Sequence, residues 1–368
     1  MFGTTLTIAV TIMQVYIFWR ACSVPFLVNR ISRKAIIGIG VALWILFYVG
    51  RTFENDLTGV LAYSLEMFSM TWLASLFLIS ITFLCVDIIT GFGFLMRRYA
   101  PLLRGLALVI GVILSITALT QGMRPPVVNS YDVSLTGLPA ELDGTVMIAL
   151  SDFHLGSLIG KEWLDARVTQ VLDQEPDVIV LLGDMFEGHG GSPEDLLPSF
   201  SCLSAPLGVW AVLGNHDRFG RSNSSVEMME QAGIALLRST WSEIAPGLVL
   251  AGVDNLRDRY GSDDGDNPVS DALSGRPPGA AVFLSHQPRQ ADVAEEAGAG
   301  LMLSAHTHGG QVWPFGYIVQ QEYPLLAGRY EVGNMSVIVS RGTGTWGPRM
   351  RLWHPGEILR ITLHSDAR

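Results

Sequence analysis

Five short stretches of this 368-residue chain hold residue types that bind metal ions. In chain order they are Asp152-x-His154, Gly183-Asp184, Gly214-Asn215-His216-Asp217, His286, and His306-x-His308. Each alone is weak. Asp-x-His and Gly-Asp are common turn sequences, and a single histidine is more often a core or surface residue than a ligand. Together they offer carboxylate, imidazole and amide oxygen, donors that suit divalent ions of the Mn, Fe or Zn type, and no thiolate. Five of the eight histidines fall in these stretches, whereas His189, His354 and His364 read as surface residues.

Elements that could position such groups are visible beside them. Short apolar runs precede the stretches: VMIAL (146–150), DVIVLL (177–182), GVWAVL (208–213), AVFL (281–284) and GLMLS (300–304). Two similar runs, LVLAGV (248–253) and MSVIVS (335–340), also end in polar residues. Near-continuous apolar runs of this length suit strands buried on both faces. Between the first two, residues 161–174 place Trp163, Leu164, Arg167, Val168, Val171 and Leu172 mostly at helical spacing, which predicts an amphipathic helix. Strand, helix, strand indicates a layered α/β architecture, in which functional groups collect where strands end. Residues 258–268 read as a polar, turn-rich loop.

The first 120 residues follow a different pattern. Four long apolar segments run roughly over Phe2–Trp19, Ala35–Gly50, Phe68–Met96 and Leu102–Thr120. A helix needs about 20 residues to cross the hydrocarbon layer. The pattern predicts a transmembrane anchor of about four helices over 1–120, a linker over 121–143, and an α/β domain over 144–368. MRPPVV (123–128) marks the linker, because two prolines cannot continue a helix. Arg20 follows the first segment and no basic residue precedes it, so it does not read as a cleavable signal. Asp87, inside the third segment, is a functional candidate by its depth; packing against a neighbouring helix is the plainer reading.

Charge separates the two parts further. The first and third connecting loops carry seven basic residues, and the opposite side carries Arg51 and Arg124. With all four segments spanning, the positive-inside rule places both termini, and so the following domain, outside the cytoplasm. Residues 121–368 hold sixteen basic against thirty acidic residues, a formal net charge of −14. That balance argues against nucleic acid as a partner. Three dispersed cysteines suggest neither a disulfide frame nor a thiolate metal site.

The motif series, with the ending AHTHGGQVWP, YPLLAGRY and VIVSRGTGTWGPRMRLWHPGEILRITL, resembles the calcineurin-like metallophosphoesterase family over about Gly144 to Leu363. Within it, the ending is similar to the YaeI/YkuE-like branch of membrane-associated phosphodiesterases. The resemblance implies a four-layer αββα sandwich with two divalent ions in one cleft. It implies that Asp152, His154 and His308 bind the first ion, Asn215, His286 and His306 the second, and that Asp184 bridges them. His216 would protonate the leaving oxygen, with Asp217 orienting its ring. A hydroxide shared by the ions would attack phosphorus. Read from the residues alone, Arg218 and Arg341 could clamp phosphate, but surface ion pairs are the plainer reading.

Two positions depart from the family pattern. Ala305 stands where many relatives have Gly, and Glu187 where many have Asp; neither is a ligand position. The implied function is a membrane-anchored phosphohydrolase cleaving a phosphodiester or pyrophosphate bond, of a lipid-linked or cell-envelope substrate. One alternative is an enzyme similar to the UDP-2,3-diacylglucosamine pyrophosphatase of lipid A synthesis, whose substrate is cytoplasmic. Another, of a different class, is a non-catalytic metal-binding membrane receptor or scaffold.

Overall fold

The computed structural model describes residues 2–53, 59–187, 193–217, 224–254 and 267–366. The chain forms two compact units, one of Met1–Arg124 with Gly347–Trp353, the other of Pro125–Trp346 with His354–Arg368.

The helical unit contains α1 (Phe2–Ala21), the one-turn α2 (Pro25–Val28), α3 (Arg33–Thr52), α4 (Gly59–Ile89) and α5 (Ala100–Gly122). Among the described residues α3, α4 and α5 are long and apolar enough to cross a membrane. The expectation of four such helices is therefore corrected to three. α1 equals α3 in length, but Thr4, Thr5, Thr7, Thr11, Gln14 and Arg20 dilute its apolar run. It packs against α3 and α4 all the same, through a core that includes Val10, Ile17, Phe47, Leu76 and Phe83. Its polar groups find partners on those helices, as groups removed from water must. Gln14 donates to the Gly40 carbonyl (2.9 Å) and accepts from Trp72 Nε1 (3.0 Å), and Trp44 Nε1 donates to Thr11 (3.0 Å). Asp87 lies two residues before the end of α4 and pairs with Arg20 and Arg104, which is the plainer of its two readings.

The second unit runs β1 (Val127–Leu135), β2 (Thr145–Leu150), α6 (Lys161–Leu172), β3 (Val178–Leu181), α7 (Leu197–Phe200), β4 (Val209–Ala211), α8 (Ser224–Gln231) and β5 (Ala235–Leu236). It continues with β6 (Thr240–Ala245), β7 (Leu248–Val253), α9 (Pro268–Leu273), β8 (Ala280–Ser285), α10 (Ala291–Glu296), β9 (Leu301–Ser304), α11 (Gly316–Glu322), β10 (Gly328–Val332), β11 (Met335–Val339) and β12 (Glu357–Ser365). These strands make two mixed six-stranded sheets, ordered β1-β12-β2-β3-β4-β5 and β10-β11-β9-β8-β7-β6. The segments β2 to β5 are mutually parallel in the first, as are β7, β8, β9 and β11 in the second.

The sheets face each other across one apolar core. Met147, Val180 and Leu359 contribute from the first, and Leu250, Leu284 and Leu303 from the second. Burying each such leucine contributes about 1.5–3 kcal/mol. The other face of the second sheet is covered by α9 and α10, through Val269, Leu273 and Ala294 against Phe283 and Met302.

One expectation needs revision. The stretch read as a linker contains β1, which pairs in parallel with β12, so the first sheet takes one edge strand from before position 144. Its sequence, VVNSYDVSL, alternates with polar residues because only one face is covered. Of the polar stretch 258–268, residues 258–266 lie outside the described residues, and the Asn267 side chain caps α9 by accepting from Val269 N.

Candidate metal centre

The segments after β2, β3, β4, β8 and β9 carry the predicted site residues, and the fold brings them together. Parallel strands do this by sending their C-terminal ends to one edge. The chain then turns sharply. Asp152, His154, Asp184, His306 and His308 all have positive φ, between 50° and 70°. A non-glycine residue in that region costs roughly 1–3 kcal/mol, and such strain gathers at functional sites. Ladder-like bonds hold it here: Asp152 N donates to Gly183 O (3.0 Å), and His154 N to Asp184 O (3.1 Å). Ala305 is not among the positive-φ residues, so its methyl group is tolerated where relatives have Gly.

Two clusters result. In the first, His154 Nε2 lies 3.2 Å from His308 Nε2, which lies 3.4 Å from Asp152 Oδ1. In the second, His286 Nε2 lies 3.1 Å from both His306 Nδ1 and Asp184 Oδ2. Asp184 Oδ2 is also 3.9 Å from His154 Nε2, so one carboxylate faces both clusters. His306 and His308 thus point to different clusters, through a left-handed turn rather than an extended strand. His154, Asp184 and His216 form a third close set, with ligand atoms within 4.8 Å of one another.

These residues fit divalent ions. Ligand atoms sharing one ion at ~2.1 Å lie about 3.3 Å apart, which is the spacing of the converging nitrogens. Asp152 Oδ1 and Asn215 Oδ1 are buried with no hydrogen-bond partner among the described residues. Buried oxygens of that kind are normally satisfied, and a cation would satisfy both.

Surrounding groups orient the ligands. His286 Nδ1 donates to the Leu182 carbonyl (2.7 Å), and His154 Nδ1 lies 2.5 Å from Glu187 Oε2. With the proton on Nδ1, each ring turns the Nε2 lone pair inward. Glu187, noted in the sequence only as a departure, is therefore a positioning residue for His154. Its other oxygen lies 3.7 Å from His216 Nδ1. Asp217 differs from expectation. Its carboxylate accepts from the backbone N–H groups of Asp184, Met185, Phe186 and Gly214 (2.8–3.2 Å), which fixes two site loops rather than the His216 ring. Gly214 is needed here, because a Cβ would overlap the Asp184 carboxylate.

Other predicted positions fall elsewhere. Arg341 is engaged by Glu357, its Nη1 2.9 Å from Oε2, which is the ion-pair alternative. Arg218 and His189 lie outside the described residues. His354 is exposed, and His364 pairs with Asp132 and Asp143. Tyr323, not singled out in the sequence, packs edge-on against His306 at 5.0 Å, and Arg289 caps it at 4.6 Å.

Electrostatics sharpen the arrangement. Burial raises Asp152, and burial with the nearby Asp184 charge raises Asp217 to about 6. Burial also opposes ionisation of Asp184, but His286, His154 and His216 outweigh it and hold that carboxyl well below its usual range. Burial lowers His286 as well, but Asp184 and Asp152 overcome it and push the ring up to about 9. Burial and the His286 charge drive His306 down to about 3.

The metal-free protein should titrate accordingly. The His286 value lies above the ordinary 6.5, so its contribution is complete below pH 6.5 and lost as pH rises through about 9. His306 is depressed, so it removes stability as pH falls below 6.5. The melting midpoint of EDTA-treated protein is expected to peak near pH 6.5 and to fall by roughly 5–10 °C by pH 9.5. A flat profile over that range counts against this charge arrangement.

Known proteins share this sequence pattern. The family described as calcineurin-like phosphoesterase matches residues 146–310. An uncharacterized metallophosphoesterase of Aquifex aeolicus is 33% identical over 251 residues, which cover 64% of this chain and 91% of that one. One of Campylobacter jejuni is 29% identical over 263 residues, covering 70% and 68%. A Danio rerio protein named as a transmembrane protein with metallophosphoesterase domain is 30% identical over 275 residues, covering 70% of this chain but only 62% of its own length.

Proposed function

The chain belongs to the calcineurin-like metallophosphoesterase family, and from that premise we propose that it hydrolyses a phosphodiester or pyrophosphate bond of a lipid-linked or cell-envelope substrate. The observation that carries the proposal is Asp184, one buried carboxylate facing two imidazole clusters. In this reading Asp152, His154 and His308 would hold one divalent ion, Asn215, His286 and His306 a second, and Asp184 would serve both. Bound there, the ions supply Lewis acidity that polarises a phosphoryl group and acidifies water.

The chain's own residues do the rest. Glu187 and the Leu182 carbonyl keep two imidazoles in the ligand tautomer. Asp217 holds the loops that carry Asp184 and Asn215. His216 is placed to give a proton to the leaving oxygen. The four-layer αββα reading is supported by α9 and α10 on one sheet, and by the buried Leu164, Val168 and Val171 of α6.

The surroundings of the site support an amphiphilic substrate. Trp313, Phe315, Tyr317 and Ile318 are exposed on the segment between Gly310 and Tyr323. That segment is fixed at both ends. Gln311 exchanges two 3.0 Å hydrogen bonds with the Trp346 backbone, and Tyr323 packs on His306. The Trp346 ring is itself exposed, 6.1 Å from His216. A hydrocarbon group attached to the scissile phosphate would lie along this rim.

The test uses full-length protein in detergent with bis-p-nitrophenyl phosphate and a lipid phosphodiester. Both should be hydrolysed. A Trp313→Ser/Tyr317→Ser variant should raise KM about tenfold for the lipid and leave the soluble ester unchanged. Equal effects on both substrates remove the lipid-facing role, and hydrolysis of neither removes the proposal.

We also infer that the catalytic unit lies outside the cytoplasm. The basic loops lie at the end where α5 begins, so the rule needs α5 to cross and does not depend on α1. A topology reporter fused after Arg368 should give an extracytoplasmic signal. A cytoplasmic signal would favour the UDP-2,3-diacylglucosamine type of substrate instead.

A further inference from the structure

One end of the helical unit carries an excess of positive charge that the unit cannot neutralise. Asp87, fully buried, joins three helices there. It accepts from Tyr16 Oη (2.7 Å) on α1 and from Arg104 Nε and Nη2 (3.0 and 2.9 Å) on α5. Arg20 Nε of α1 lies 2.6 Å from the oxygen that accepts from Tyr16. The end of α1, the end of α4 and the start of α5 therefore share one face. Arg104 also donates to Phe92 O (3.1 Å) and to Ser23 Oγ (3.4 Å), which holds the loops after α4 and α1 against that face.

The charges at this face do not balance. Arg20 and Arg104 are both buried beside a single carboxylate. The two loops and the start of α3 add Arg30, Arg33, Lys34, Arg97 and Arg98, all exposed. Seven basic residues thus meet one acid. The other acids among the first 120 residues are Glu54, Asp56 and Glu66. Glu66 lies 21 residues before Asp87 on α4, about 31 Å away along the helix. Glu54 and Asp56 come still earlier in the sequence, before α4 begins. Among the unit's described residues no acid besides Asp87 reaches this face, and excess charge near a low-dielectric layer is costly, so a counter-charge from outside the unit would be stabilising.

The same loops show what could supply it. Phe92, Phe94, Leu95 and Tyr99 are exposed, Phe94 and Leu95 by 75% and 80%, directly beside Arg97 and Arg98. Phe26 is exposed on α2. Aromatic and aliphatic groups edged by guanidinium groups match a ligand that is anionic at one end and hydrocarbon at the other. Guanidinium and ammonium groups both pair with phosphate oxygens. We propose that this face is a binding surface for anionic phospholipid, with Arg97, Arg98, Arg30, Arg33 and Lys34 at the headgroups, and Phe92, Phe94 and Leu95 among the acyl chains. The Arg20–Asp87–Arg104 cluster is the rigid base that holds both loops in place.

The test compares phosphatidylglycerol with phosphatidylcholine of the same acyl chains, and with inorganic phosphate, on the full-length protein in neutral detergent. Retained lipid is read by native mass spectrometry and stability by melting midpoint. Phosphatidylglycerol should be retained about tenfold over phosphatidylcholine at low salt and should raise the midpoint, with the preference shrinking as salt is added. An Arg97→Glu/Arg98→Glu variant should lose most of the preference, and Arg97→Lys/Arg98→Lys should keep it. Both pairs are exposed, and unchanged hydrolysis of bis-p-nitrophenyl phosphate verifies folding. Equal retention of the two lipids, a preference that survives charge reversal, or equal stabilisation by inorganic phosphate overturns the proposal.

Discussion

Asp184→Ala is expected to lower kcat/KM for any phosphate ester at least about a thousandfold, and to lower metal content with it. The size of the effect follows from position. Asp184 is the carboxylate that faces both clusters, 3.1 Å from His286 Nε2 and 3.9 Å from His154 Nε2, and its Oδ1 accepts from His216 N at 2.7 Å. Its removal takes away the charge between the clusters and an anchor of the loop that carries His216. Asp184→Asn keeps the shape and one oxygen but not the charge. It should retain the fold and still lose most turnover. Metal analysis of both variants beside steady-state kinetics checks this; near wild-type turnover in either would mean that the two clusters do not act together.

His216→Ala should behave differently. The ring lies 4.9 Å from His154 and close to Asp184, so it could serve either as a ligand or as a proton donor. As a donor, its loss should leave metal content near wild type and reduce turnover by about 10²–10⁴. The reduction should be smallest for a p-nitrophenyl ester, whose leaving group needs no proton, and largest for an alkyl ester. Metal lost in proportion to activity would make His216 a ligand instead. Glu187, 3.7 Å from His216 Nδ1, should tune the same step. Glu187→Gln is therefore a milder companion variant that should also weaken metal binding through His154.

Much of the centre could be read from the sequence, because ligand chemistry is written in residue type and strand ends are written in apolar runs. VMIAL, DVIVLL and GLMLS became β2, β3 and β9, each followed by the expected residues. The positioning groups were less legible. Glu187 meets His154, and Asp217 meets four amides, only after loops from neighbouring strands converge. Positive φ at Asp152, His154, His306 and His308 leaves no mark either, since none is glycine. The edge strand β1 and its inner neighbour β12 hid for another reason. β1 and β12 alternate polar and apolar residues, and their pairing, Val127 with Glu357, joins positions far apart in the chain. In the helical unit, overall apolarity was plain, but the polar content of α1 decides whether it counts as a span. Asp87's partners, Arg20 and Arg104, became evident only when three helix ends met.

Whether two ions act together in hydrolysis is decided by a metal titration of EDTA-stripped, full-length protein. Bound Mn²⁺ and the rate of bis-p-nitrophenyl phosphate hydrolysis are followed in the same samples. No turnover is expected at zero occupancy, with a rate that rises with uptake and saturates at two ions per chain. Turnover in the stripped protein, or two ions bound with no turnover, would contradict hydrolysis by two ions acting together.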